Sequence, residues 1–162
     1  RYHGQMAVQV LSGGMGARLF TEVREKRGLC YSVGASALAV RGHGYVVARA
    51  GTTTERSAET LEVLVGELRR LPGTVTADEV ERSRVRLLSG EVMNEESTAS
   101  RAGRAALDWH WLGRVRTAEE VRAGIEGVSA ESLNDYLADH RPDQFTVATL
   151  GAEFTWPASL AL

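Results

Sequence analysis

The sequence holds a single cysteine, Cys30, in 162 residues. One thiol excludes an internal disulfide framework and any multi-cysteine zinc site. Excess charge of either sign is also missing: 19 Lys and Arg stand against 21 Asp and Glu, a formal net charge of −2. Dedicated nucleic-acid binders carry a strong basic surplus, so no nucleic-acid partner is expected. No apolar run approaches the roughly 18 residues of a spanning helix, and no signal-peptide pattern opens the chain, so no membrane partner is expected. Prolines number only three, and with 17 glycines the composition is not that of a disordered segment. Histidines are few and scattered. None of His3, His43, His110 and His140 lies three or four residues from another, and no His-x-x-Glu-His array exists. One helix therefore cannot present two imidazoles to a metal, and no metal ligand is assigned in this chain. A Gly-x-Ser-x-Gly elbow is absent as well, and Cys30, at the start of a strand pattern, suits a small buried hydrophobe.

What is present is 43% hydrophobic and 25% charged residues, enough for one domain with a real core over residues 1–162. The chain starts Arg1-Tyr2-His3, without Met, and enters an apolar helical pattern (Met6, Val10, Leu11) with no cap and no leading strand. The expectation is a piece of something longer, truncated at its N-terminal edge.

The first helix is expected from Gln5 to Leu11, released at Ser12-Gly13-Gly14. A second runs from Ala17 to Lys26, with Leu19, Phe20 and Val23 on its apolar side and Gly28 as a left-handed cap. From Tyr31, the apolar positions Val33, Ala35, Ala37 and Ala39 alternate with Ser32, Gly34 and Ser36, which marks a strand. Arg41-Gly42-His43-Gly44 is the expected turn, and Tyr45 to Thr52 the returning strand of an antiparallel hairpin. Helices follow. Leu61, Leu64, Val65, Leu68 and Leu71 keep three/four spacing up to Pro72-Gly73. Thr76-x-x-Glu79 is a capping box before Val80, Val85, Leu88 and Val92, and Thr117-x-x-Glu120 is another. Ala99, Ala102, Ala106 and Trp109 form a small-residue stripe suited to close helix packing, and Ser129 caps a helix ending near His140. Phe145 to Leu150 alternates again and is expected as a closing strand. The order indicates an α+β domain, an antiparallel sheet with several helices packed on one face.

Two segments invite chemistry. The glycine-rich loop Gly13, Gly14 and Gly16 precedes a helix, where phosphate is often held. It lacks the Gly-Lys-Ser/Thr ending of a P-loop, Leu19 replaces the third glycine of a dinucleotide fingerprint, and a helix precedes it where a strand should. A flexible or close-approach loop is the better reading. The cluster Arg24-Glu25-Lys26-Arg27-Gly28-Leu29-Cys30-Tyr31 fits a solvated helix end, with basic residues favoured by the helix dipole. It also fits a grip on a carbonyl or developing oxyanion, with Arg24 as a charged fork and Tyr31 as a hydroxyl donor.

From Leu11 to Val33 the residues LSGGMGARLFTEVREKRGLCYSV closely resemble a signature of the insulinase/pitrilysin-like zinc peptidases, found in the C-terminal, non-zinc domain of the family and in mitochondrial processing peptidase. The hairpin, the Gly51-Thr52-Thr53-Thr54 turn, the long helices and the final strand also fit, so the resemblance covers essentially the whole chain. It implies a two-domain chamber. A homologous N-terminal domain would carry His-x-x-Glu-His and zinc, and the C-terminal domain would lend an Arg and a Tyr seven positions apart. Arg24 and Tyr31 match that pair and spacing. The resemblance therefore implies catalytic roles for Arg24 and Tyr31 as donors to the peptide backbone or oxyanion, completing a site in another domain. The cofactor it implies is zinc, in a missing catalytic domain and not in this chain. The partners it implies are that zinc-binding domain, in the same chain or another subunit, and a peptide substrate; a homodimer is a further partner expectation. The departures are the absent zinc motif, so this piece is not a catalyst on its own, and the missing leading strands, so the sheet should be small, with an edge for another chain to cover. Two alternatives stand beside the enzyme part: a non-catalytic family subunit that binds peptide or scaffolds an assembly, and an unrelated α+β small-molecule binder. The lack of disulfides suits a cytoplasmic location, with a periplasmic or organellar one as the alternative.

Overall fold

The protein was analysed as a computed structural model, which describes residues 1–40, 43–153 and 155–160. Helix α1 (Tyr2–Ser12) lies at the centre of the molecule. It starts three residues earlier than the apolar pattern suggested, because Tyr2 is itself packed against the core. Its end is set by glycine: Gly14 has φ 138°, a conformation that releases the chain from the helix. A helical segment follows, and over Phe20–Glu25 it widens into a π-helical turn.

Strands β1 (Cys30–Val40) and β2 (His43–Thr52) form one antiparallel pair, with Val33 opposite Ala50 and Ala35 opposite Ala48. These four residues are partly buried against the core, and α1 packs on β1 from that side. The turn expected between the strands falls partly on Arg41 and Gly42, which lie outside the described residues. Five helices complete the order: α2 (Ser57–Arg70), α3 (Ala77–Glu96), α4 (Thr98–Leu112), α5 (Ala118–Glu126) and α6 (Ala130–Asp139). The sheet with helices on one face is thus the observed class, reduced among the described residues to two strands.

The three expected N-caps are made. Thr76 and Glu79, and Thr117 and Glu120, form reciprocal capping boxes, and Ser129 caps α6 with Ser132 answering. The core joins α1, the π-helical turn and α2, α3, α5 and α6; Met6, Leu19, Val23, Val80, Ile125, Val128 and Leu133 are almost wholly excluded from water. Each such side chain contributes about 1.5–3 kcal/mol, against about 0–1 kcal/mol for an exposed ion pair. The apolar centre, not the surface charges, holds the fold.

Two expectations are corrected. The closing strand Phe145 to Leu150 does not form: residues 141–150 run without a ladder. A strand needs a neighbour's N–H and C=O groups, and among the described residues β1 and β2 pair only with each other. Phe145 instead packs on the core with the Arg69 guanidinium 5.5 Å above its ring. The stripe Ala99, Ala102, Ala106 and Trp109 is exposed, and the residue of α4 that is buried is Asp108. An ion pair and not a small-residue seam therefore ties α4 down. On α3, Val80 is buried and Leu88 partly so, but Val85 and Val92 face solvent, because only one side of this long helix meets the core.

Candidate functional site

The segment from Phe20 to Tyr31 is built by three local devices. Val23 and Leu29 are buried, which turns Arg24 and its neighbours outward. The π-helical turn is closed by Gly28, φ 61°, whose N–H donates to the Arg24 carbonyl while the Leu29 N–H reaches back to the Val23 carbonyl. The expected left-handed cap is therefore present. The third device is a β-bulge: Cys30 pairs with Thr52 and Ser32 with Gly51, so Tyr31 is the extra residue of β1. Bulges re-aim side chains, and here the phenol is 73% exposed between a buried Cys30 and the paired strand.

Electrostatics single out one cation. Glu22 accepts from Lys26 Nζ at 2.6 Å and from Arg27 Nη1 at 2.8 Å, and these two bonds, Lys26 first, hold its carboxyl below the ordinary range. Lys26 and Arg27 are thereby occupied. Arg24 is not: its guanidinium lies 5.0 Å from the centre of the Phe20 ring, and among the described residues it makes no hydrogen bond or ion pair. Burial pushes the Cys30 thiol up, and the Arg24 charge opposes that shift. Tyr31 Oη likewise makes no hydrogen bond among the described residues. Arg24 and Tyr31 stand on the two arms of one turn, not bonded to each other, each with donors left to offer a ligand.

The glycine loop is a separate feature at the other end of the same helical segment. Gly13 and Gly14 are close-approach positions: a side chain at Gly13 would strike Gln9, and one at Gly14 would lie 2.7 Å from Arg86 Nη1. Gly16 has open space around it. The loop edges an open groove of about 410 Å³ against α3.

Sequence reading missed the residues that seat the pair. Phe20 was assigned only to the apolar side of its helix. Thr60, buried in α2, was not singled out, although its Oγ1 stands 3.2 Å from the Leu29 carbonyl and 3.1 Å from Thr52 Oγ1. An isolated glycine within a strand pattern, Gly51, was the one available signal.

Among the described residues no group of three or more His, Cys, Asp or Glu could hold a metal ion. The described side chains do not fit zinc. Nor is any helix among the described residues long and apolar enough to cross a membrane.

Residues 2–87, just over half of the chain, match the family described as the peptidase M16 inactive domain. The chain belongs to that family. Relatives of this M16 inactive domain include an uncharacterized zinc protease of Mycobacterium tuberculosis (strain H37Rv), 30% identical over 142 residues, 87% of this chain and 32% of the relative. Another is the uncharacterized zinc protease YmxG of Bacillus subtilis, 26% identical over 152 residues, 92% of this chain and 37% of the relative. The chain thus spans about a third of the length of the curated relatives it matches. Its fold is similar to that of a peptidase M16 inactive domain from Pseudomonas fluorescens, with a TM-score of 0.71, 24% identity, and coverage of 85% of this chain and 33% of that one. It is also similar to a chain of complex III2 from Candida albicans, TM-score 0.74 at 12% identity, covering 85% and 36%.

Proposed function

We propose that residues 1–162 form the C-terminal, non-zinc domain of a longer M16 zinc endopeptidase, and that this domain encloses an extended peptide and offers it Arg24 and Tyr31. The homologous zinc-binding domain would stand in the same chain or in a second subunit and supply the metal. The observation that carries the reading is the outward pair itself. Among the described residues one cation is left without an ion pair while its neighbours are neutralised by Glu22, and one phenol is turned out by a bulge on the other arm of the turn.

The chemistry asked of this chain is modest. A guanidinium fork can bind a peptide carbonyl or carboxylate, and a phenol O–H can donate to the oxygen on which negative charge develops. Both act by holding and polarising the substrate; neither has to gain or lose a proton. A cytoplasmic location belongs to the same proposal.

In the complete protein, Arg24→Ala and Tyr31→Phe should each slow peptide hydrolysis by about 10²–10³-fold, with zinc content and melting temperature unchanged. Full activity in both variants would sink the assigned roles. The alternative reading is a non-catalytic subunit that binds peptide. It predicts a complete protein that binds extended peptide and hydrolyses none, with or without added zinc.

A further inference from the structure

We propose that Gly51 is a positioning residue, the seat on which the Tyr31 ring lies. This inference rests on the reading of Tyr31 as a substrate donor and adds the residue that sets where its hydroxyl stands.

Gly51 sits on β2 opposite Ser32, beside the bulge that ejects Tyr31. A Cβ built at position 51 would fall 2.6 Å from Tyr31 Oη and 2.7 Å from Cε2, and closer still to Cζ. Any side chain there would push the hydroxyl end of the ring off the strand. The backbone makes no such demand. Gly14, Gly28, Gly73, Gly113 and Gly151 have positive φ, but Gly51 does not, so its conformation is open to any L residue. Glycine in a strand is unfavourable on its own account, since it loses most entropy on ordering and packs nothing. The contact that explains this glycine is the ring.

The rest of the seat is held from behind. Thr52 Oγ1 donates to the Leu29 carbonyl at 2.5 Å, and buried Thr60 Oγ1 stands 3.2 Å from the same oxygen. Arg56 Nη1 donates to the neighbouring Gly28 carbonyl. The backbone two residues before Tyr31 is therefore tied to β2 and α2 while the ring rests on the strand next to it. A side chain so exposed would otherwise sample several rotamers. Placing a donor within a fraction of an ångström is what catalysis requires of it.

The test uses the complete protein with 3-fluorotyrosine incorporated at position 31 and a fluorogenic peptide as substrate. Gly51→Ala should move the ¹⁹F resonance and lower kcat on the order of 10²-fold, with little change in KM. In a Tyr31→Phe background, Gly51→Ala should cost nothing further in kcat, because the hydroxyl it positions is gone. Should Gly51→Ala melt early or fail to fold, Tyr31→Ala with Gly51→Ala should recover the lost melting temperature, which supports the seat. An unmoved resonance, an additive kcat loss, or a double variant as unstable as Gly51→Ala alone would overturn the proposal. Tyr31→Phe with undiminished turnover would overturn the donor reading and the positioning role with it. The ¹⁹F resonance, read separately on the labelled protein that keeps its tyrosine, would then still report the ring–glycine contact if Gly51→Ala moves it.

Discussion

Asp108 shows how much a single side chain carries. It is fully buried, and Arg116 meets it three times: Nη2 at 2.6 Å, Nε at 2.9 Å and the backbone N–H at 3.2 Å, with Arg1 at 3.5 Å beyond. The Arg116 bonds hold the carboxyl below its ordinary value, against the opposing effect of burial. Arg116 Nη1 also donates to Tyr2 Oη at 2.8 Å, so the pair joins the end of α4 to the start of α1. Removing one partner of such a pair leaves the other charge buried and uncompensated, since the Arg116 side chain is only 8% exposed. Asp108→Ala should therefore destabilise the fold by about 3–5 kcal/mol in urea unfolding; a loss below about 1 kcal/mol would mean the pair behaves like a surface contact. None of this was legible in the sequence. Asp108 stands in an alanine-rich stretch, and nothing local marks it as inward-facing or names Arg116 across the intervening turn.

Among the elements, the turn from Phe20 to Tyr31 separates two kinds of glycine. Gly28 has φ 61° with open space beside it, the nearest atom to a new Cβ being Arg56 Nη1 at 3.8 Å. The cost of Gly28→Ala is then backbone strain alone, about 1–2 kcal/mol. Gly16 has neither a positive φ nor a neighbour within 4 Å, so Gly16→Ala should lie within about 0.5 kcal/mol of the parent. Chemical denaturation of the two variants checks the contrast, and equal losses would refute it. The left-handed cap, the capping boxes and the hairpin were legible because each is a local preference written in a few consecutive residues. The widening of Phe20–Glu25 into a π-helical turn and the bulge at Tyr31 were not. Each inserts one residue into a regular pattern without altering its composition, and the packing of Val23, Leu29 and Cys30 decides where the insertion falls.

For the whole molecule, acid is the informative stress. Asp108, Glu22 and Glu79 all have carboxyls held below their ordinary values. At Glu79, burial pushes upward, but Arg18 Nε at 2.7 Å and the Thr76 N–H at 2.9 Å more than offset it. A carboxyl with a lower pKa folded than unfolded stabilises the fold fully above its unfolded value. That contribution is lost as pH falls through the ordinary carboxylate range, near pH 4, toward the lower folded values. Unfolding free energy should therefore fall steadily on acidification through that range, and Asp108→Asn should flatten the slope. Stability that holds or rises there would contradict the assignment of these ion pairs.

Composition, periodicity and the residues from Leu11 to Val33 were enough to determine the α+β class, the family and the lack of a zinc-ligand array. Such properties reside in local propensities and in a contiguous signature, both read along the chain. The sequence also brought Arg24 and Tyr31 under notice by their spacing. The tertiary structure decided what the spacing could not. Glu22 neutralises Lys26 and Arg27 but leaves Arg24 without an ion pair among the described residues, Gly51 and not a backbone constraint seats Tyr31, and Asp108 rather than an alanine seam ties α4 down. The closing strand was denied for the same reason. An alternating pattern supplies a face, but a strand exists only where another backbone offers its hydrogen bonds, and that is a property of the assembled molecule.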